Sequence, residues 1–165
     1  VKIFTDGSVQ PATGIGCGAY LLVFDAGESL ERLKSRIRTK QFMNTSSTRL
    51  ELQTFLWALG LLCDDNTSMP ASLECYTDCQ TLVGLAARRK KLEANNYISK
   101  NGKRLNNADL YQQFYALIDK LKSKHIHCQL LKLEGHKASK NKTSTDHLFA
   151  LVDKAARNAV RQLGI

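Results

Sequence analysis

The sequence predicts an α/β fold: a five-stranded mixed sheet, three strands antiparallel and two parallel, flanked by helices. Three observations carry this. First, the apolar pattern changes period along the chain. Strand-like runs fill the first forty residues, whereas Leu52, Phe55, Leu56, Leu59, Leu62 and Cys63 recur at helical spacing. Second, only short turns separate the first three runs, which suits an antiparallel meander. Third, two runs end alike, in Phe4-Thr5-Asp6-Gly7 and Tyr76-Thr77-Asp78-Cys79, with a helix between them. A right-handed crossover through that helix would lay the two strands side by side and parallel.

Residues 1–8 read as the first strand, ending at Asp6 with a Gly7-Ser8 turn after it. Val1 already reads as strand, so a preceding segment is expected to have been trimmed. Gln10 to Gly14 make a turn with Pro11, and residues 16–24 form a largely apolar second strand. Leu30 to Phe42 alternates loosely, through Leu33, Ile37 and Phe42, as a third strand with one wet face. Thr45-Ser46-Ser47-Thr48 offers N-caps for the long helix. Residues 64–70 read as a loop, 73–77 as the fourth strand and 79–87 as a short helix.

Residues 88–104 change character, with seven basic residues against the single acid Glu93. Asn95, Asn96, Asn101 and Gly102 interrupt any long helix. The stretch reads as a basic protrusion standing off the core. Asp109 to Lys124 follows as an amphipathic helix and Ile126 to Leu133 as the fifth strand. Gly135 to Thr145 reads as a loop. Leu148, Phe149, Val152, Ala155, Ala156 and Val160 mark a closing helix. The element order is β-β-β-α-β-α-α-β-α.

The chain has 165 residues, so a single domain over 1–165 is the simplest organisation. A formal net charge of +9 points to a polyanionic partner, nucleic acid before membrane. Five scattered cysteines without a C-x-x-C pair read as reduced thiols of a cytoplasmic protein, not as a zinc site. No run is long enough to cross a bilayer. A monomer is expected.

Four carboxylates stand out by position. Asp6 and Asp78 end strands expected to be neighbours. Glu51 lies one turn into the long helix, and Asp153 sits at the edge of the closing helix's apolar stripe. Each also has a purely structural reading. Asp6-Gly7 suits a hairpin turn, and Asp78 suits a helix cap. Thr48-x-x-Glu51 suits a capping box, and Asp153 pairs with Arg157 at i, i+4. Their joint occurrence favours a shared site at the strand ends, where ligands gather in open α/β sheets. Oxygen donors without a Cys or His pair select a hard cation, Mg²⁺ or Mn²⁺. Two such ions about 4 Å apart suit in-line cleavage of a phosphodiester.

Taken in order, Thr5-Asp6-Gly7-Ser8, Thr48-Arg49-Leu50-Glu51-Leu52, Thr77-Asp78-Cys79-Gln80, Asn107-Ala108-Asp109-Leu110-Tyr111, Glu134-Gly135-His136 and Val152-Asp153-Lys154-Ala155-Ala156-Arg157 resemble a type 1 ribonuclease H over essentially the whole chain. The resemblance implies a ribonuclease H-like fold and a nuclease that cuts the RNA strand of an RNA–DNA hybrid, leaving 5′-phosphate and 3′-hydroxyl ends. It implies Asp6, Glu51, Asp78 and Asp153 as ligands of two Mg²⁺ ions, with Mn²⁺ as a possible substitute. It makes His136 an aid to proton transfer or product release. Gly7, Ser8 and Gln80 match positions touching the hybrid near the cut. Ser46, Ser47, Thr48 and Arg49 match the stretch that reads the strands. Residues 88–104, led by Arg88, Arg89, Lys90 and Lys91, match a basic handle. A DNA-cutting or strand-transferring relative and a non-catalytic hybrid binder are the alternatives. Gln10-Pro11-Ala12 and Ser47-Thr48 depart from the Asn-rich segments of many relatives, and Asp146 is a rival to Asp153.

Overall fold

The structure is a computed structural model that describes residues 1–64, 70–134 and 143–164. In chain order the elements are β1 (Lys2–Gln10), β2 (Ile15–Val23), α1 (Leu30–Arg36), β3 (Arg38–Phe42), α2 (Ser47–Asp64), β4 (Ser72–Thr77), α3 (Gln80–Val83), α4 (Leu85–Ala94), α5 (Ala108–Ser123), β5 (His127–Lys132) and α6 (Ser144–Gln162). The five strands form one sheet in the order β3-β2-β1-β4-β5. β1, β2 and β3 pair antiparallel, and β4 pairs parallel to both β1 and β5. This is the expected mixed sheet, with the parallel β1–β4 pair at its centre.

Successive residues of a strand face opposite sides of the sheet. Ile3 accordingly joins the larger core with Leu52, Phe55, Leu59 and Phe114, beneath α2 and α5. Phe4 joins the smaller core with Leu21, Val152 and Ala156, beneath α6. Phe4 also stacks on Tyr76 across the parallel pair, with ring centroids 4.9 Å apart.

Three expectations are corrected. The strand expected over Leu30–Phe42 is a helix followed by a shorter strand. Ser29 caps α1 through a hydrogen bond accepted from the Arg32 N–H, and Leu33 is the buried residue. Leu30, Leu33 and Ile37 stand at helical spacing as well, although only Leu33 is buried. Second, β1 does not end at Asp6. It runs on to Gln10 because β2 pairs with it throughout, with Asp6 opposite Ala19 and Gly7 opposite Gly18. Third, the helix expected over 79–87 is two helices, the second of which runs on into the basic stretch. α4 carries its first half and buries Leu85 and Leu92, while Tyr97 packs in the same core. Asn96 and Tyr97, both at positive φ, then turn the chain back. The loops expected over 64–70 and 135–145 fall largely outside the described residues.

The five cysteines are free thiols, with Cys75 and Cys128 3.7 Å apart at sulfur. Among the described residues no helix is long and apolar enough to cross a membrane.

Glycines let α2 lie close on β1 and β2. A Cβ at Gly18 would stand 2.0 Å from Thr54 Oγ1 and 2.8 Å from its Cγ2. Thr54 is fully buried and donates its hydroxyl to Leu50 O. Gly18→Ala is therefore expected to destabilise the fold by about 2 kcal/mol in urea titration. A second change, Thr54→Ala, should restore part of that loss. Equal stability of Gly18→Ala and the parent would show that α2 can shift freely.

Candidate active site

The site forms where the parallel ladder stops. β1 and β4 pair at Lys2–Glu74, Ile3–Cys75 and Phe4–Tyr76. β4 then ends at Thr77, so Asp78 leaves the sheet while Asp6 continues in β1. Asp6 has lost its β4 neighbour at this point and faces the gap beside Asp78.

Glu51 enters from above, one turn into α2. Its Oε1 accepts the Gly7 N–H at 3.0 Å, a bond that Asp6 Oδ1 shares at 2.8 Å. That bond is possible because Gly7 has no side chain. A Cβ there would come within 2.8 Å of Leu50 and 3.3 Å of Glu51 Oε1. The capping-box reading of Glu51 gives way to this contact with β1. The cap reading of Asp78 also fails, since Cys79 holds the N-cap position of α3.

Ligand oxygens of Asp6, Glu51 and Asp78 all lie within 4.8 Å of one another. Asp6 and Glu51 are each only 7% exposed, and Glu51 Oε2 is buried without a hydrogen-bond partner. Burial first, and then the negative charge of Asp78, push the Asp6 carboxyl up to about 7. Burial, followed by the charges of Asp6 and Asp78, holds Glu51 well above the usual carboxylate range. Two buried carboxyls that resist ionisation beside a third carboxylate are unfavourable by themselves. A divalent cation would resolve the repulsion and give Glu51 Oε2 a partner. An all-oxygen donor set fits Mg²⁺ or Mn²⁺.

A cleft of about 750 Å³ opens around the three acids. It brings together the expected residues Gly7, Ser8, Ser47, Thr48, Gln80 and Asp153. Asp153 lines the cleft from α6 but is ion-paired with Arg157, outside the cluster of three. The rival Asp146 is committed locally. Its Oδ2 accepts from the Thr143 N–H and hydroxyl, both at 2.8 Å, in a capping box that starts α6. His136 lies outside the described residues.

Other expected contacts sit elsewhere. Ser46 and Arg49 border a neighbouring hollow with Asn107 and Arg104. Arg49 forms a forked pair with Asp109, at 3.0 and 2.6 Å, and reaches Asn107 Oδ1 at 3.3 Å. The Arg49 guanidinium holds the Asp109 carboxyl below its ordinary range. Arg88 lies over the Tyr111 ring, and Arg89 is bound by Asp119 and Glu93. Lys90 and Lys91 are exposed on α4.

Sequence reasoning missed Thr81, Glu134, Phe149 and Lys154, which also line the cleft. Thr81 adjoins Gln80, Glu134 and Lys154 stand inside the matched motifs, and Phe149 belongs to the closing helix's apolar stripe, so each stood beside a readable signal. It also missed Lys132, whose ammonium donates to Gln80 Oε1 at 2.7 Å across 52 residues of chain. An ammonium is only a donor, so it turns the amide N–H₂ of Gln80 outward as a donor.

The RNase H family model matches residues 1–160. Ribonuclease H of Orientia tsutsugamushi (strain Boryong) is 34% identical over 123 residues, covering 73% of this chain. The chain spans just under two thirds of that relative, 65%. Ribonuclease H of Rickettsia canadensis (strain McKiel) is 28% identical over 154 residues, covering 91% of this chain and 86% of its own. In structure, the chain resembles the PFV RNase H domain with a TM-score of 0.70 at 14% identity, over 95% of this chain and 92% of that one. At that identity the likeness is one of fold.

Proposed function

Because the chain belongs to the ribonuclease H family of hydrolases, we propose that it cleaves the RNA strand of RNA–DNA hybrids as a divalent-metal-dependent endonuclease. The observation that carries this reading is the cluster of Asp6, Glu51 and Asp78 with the unpartnered Glu51 Oε2. Asp6, Glu51 and Asp78 would hold the metal, with Asp153 as a fourth ligand once it leaves Arg157. Two Mg²⁺ ions there would activate the attacking water and stabilise the leaving oxygen. In-line attack on phosphorus that expels the 3′-oxygen yields a 5′-phosphate and a 3′-hydroxyl.

The chain's own groups do the rest. The Gly7 N–H fixes Glu51 Oε1 in place, which would leave Oε2 to meet a metal. Gln80, held by Lys132, offers N–H donors at the rim. Every base carries a minor-groove acceptor, so such a donor tolerates any sequence. Ser8, Ser47 and Thr48 add hydroxyls that suit 2′-hydroxyl and phosphate contacts. His136 is assigned to proton transfer or product release. Mn²⁺ is a possible substitute ion, and a single domain acting as a monomer suffices for this reading.

The test is cleavage of an end-labelled hybrid with Mg²⁺, with and without EDTA, beside duplex DNA and duplex RNA. We expect cutting of the RNA strand of the hybrid only, abolished by EDTA. Cutting of duplex DNA would favour the strand-transferring relatives. Tight binding of intact hybrid with Mg²⁺ would make the protein a hybrid-binding module.

A further inference from the structure

The basic stretch divides by residue type. Its arginines are tied to the body of the protein. Arg89 donates through Nη1 and Nη2 to both oxygens of Asp119, at 2.6 and 2.7 Å, and through Nε to Glu93 Oε1 at 2.8 Å. Its guanidinium also lies 5.0 Å from the Tyr115 ring centroid. Arg88 stacks 5.7 Å over Tyr111, and Arg104 donates to Gln112 Oε1 at 3.1 Å. Lys90, Lys91, Lys100 and Lys103 are exposed, and their ammonium groups make no hydrogen bond or ion pair among the described residues.

We propose that Arg89 and Asp119 are positioning residues, a clamp that seats α4 on α5 so that the lysines can meet the hybrid's phosphates. This rests on the hybrid reading above. Three features support it. α4 buries only Leu85 and Leu92, so apolar packing alone holds it weakly. The second anchor is polar: a guanidinium fork matched to a carboxylate, lying over a buried tyrosine whose hydroxyl donates to Leu85 O. Local charge points the same way. Arg89 faces two acids, Asp119 and Glu93, so the cluster as a whole does not attract phosphate. Acids would be out of place on a phosphate-gripping surface unless they held something there.

The clamp makes predictions opposite to those of a phosphate contact. Asp119→Asn removes a negative charge, which by electrostatics alone tightens hybrid binding. A loosened clamp instead raises KM, by about three- to five-fold, with kcat unchanged. Arg89→Lys keeps its charge but loses the fork, and should raise KM equally. The double variant should be no worse than either single one. Between about 50 and 200 mM salt, both variants should keep the parent's slope of log KM, whereas Lys90→Ala and Lys91→Ala should each lower it by about one.

Hydrogen exchange of the free protein gives an arm independent of substrate. Amides of residues 85–94 should exchange faster in both clamp variants. A lower KM in Asp119→Asn, parental KM in Arg89→Lys, or unchanged exchange would each overturn the clamp. If the parent protein neither binds nor cuts hybrid, the proposed function fails, and the exchange arm alone decides whether the clamp exists.

Discussion

Asp78→Asn is expected to abolish hybrid cleavage, by about three orders of magnitude or more, while the fold survives. Asp78 stands at the exposed rim of the acidic cluster, just past the end of β4, and contributes nothing to either core. Its charge acts on its neighbours instead. It is the leading electrostatic cause of the raised Asp6 carboxyl and one of those raising Glu51. Neutralising it therefore relieves repulsion in the metal-free protein. Activity and stability should move in opposite directions. Thermal melting in EDTA should rise by about 2–4 °C for each 1 kcal/mol of repulsion relieved. Single-turnover cleavage and melting curves on the same preparation check both halves. Parental turnover would remove Asp78 from the reaction. Lost turnover with a lowered melting point would mean that the substitution damaged the fold and not the chemistry.

The second large effect is a pH-dependent response to metal. The sign follows from Asp6. Its folded-state value of about 7 lies above the ordinary carboxylate value, so the folded protein holds this proton where the unfolded chain has released it. The stabilising contribution is complete below about pH 4 and is lost as pH rises through 7, on the order of 4 kcal/mol in the metal-free protein. Glu51 acts in the same direction. A divalent cation reverses this, because it binds the ionised form and must displace the proton. The melting-point gain from Mg²⁺ over EDTA should thus be small at pH 5.5 and grow towards pH 7.5. Asp6→Asn should flatten the profile. A gain that is independent of pH, or that persists in Asp6→Asn, would place the bound cation elsewhere.

The chain's cationic side chains show where reading by motif stops. Arg88 and Arg89 sit in a basic run, and Arg49 in a stretch matched to nucleic-acid contacts. The run is real, but charge in a sequence does not say what a charge faces. Arg89 finds Asp119 thirty residues away, and Arg49 finds Asp109 sixty residues away. Each guanidinium is matched to a carboxylate on another helix, a tie that its own place in the sequence does not show. The run's lysines, which lack the fork, are left to the solvent face.

α1 teaches a related lesson at short range. Leu33 and Ile37 suit a loose strand alternation and, with Leu30, a helical spacing alike. Ser29 and the hydrogen bond it accepts from the Arg32 N–H decide for the helix, a local device that the alternation obscured.

By itself the sequence determined the order of most elements, the adjacency of the two parallel strands, the family, and which acids to expect at the candidate site. These follow from periodicity and from short motifs, in which a few neighbouring residues carry the whole physical cause. Tertiary structure alone decided that β1 continues through Asp6, because β2 supplies partners to Gln10 after β4 has ended. It decided that Glu51 is held by the Gly7 amide and not by its own helix, and that Asp6, Glu51 and Asp78 cluster while Asp153 stays outside. It separated the basic stretch's arginines, which fasten, from its lysines, which make no hydrogen bond or ion pair among the described residues. Each of these depends on which groups meet across long stretches of chain in a low-dielectric setting, and only packing fixes those meetings and the charge states that follow from them.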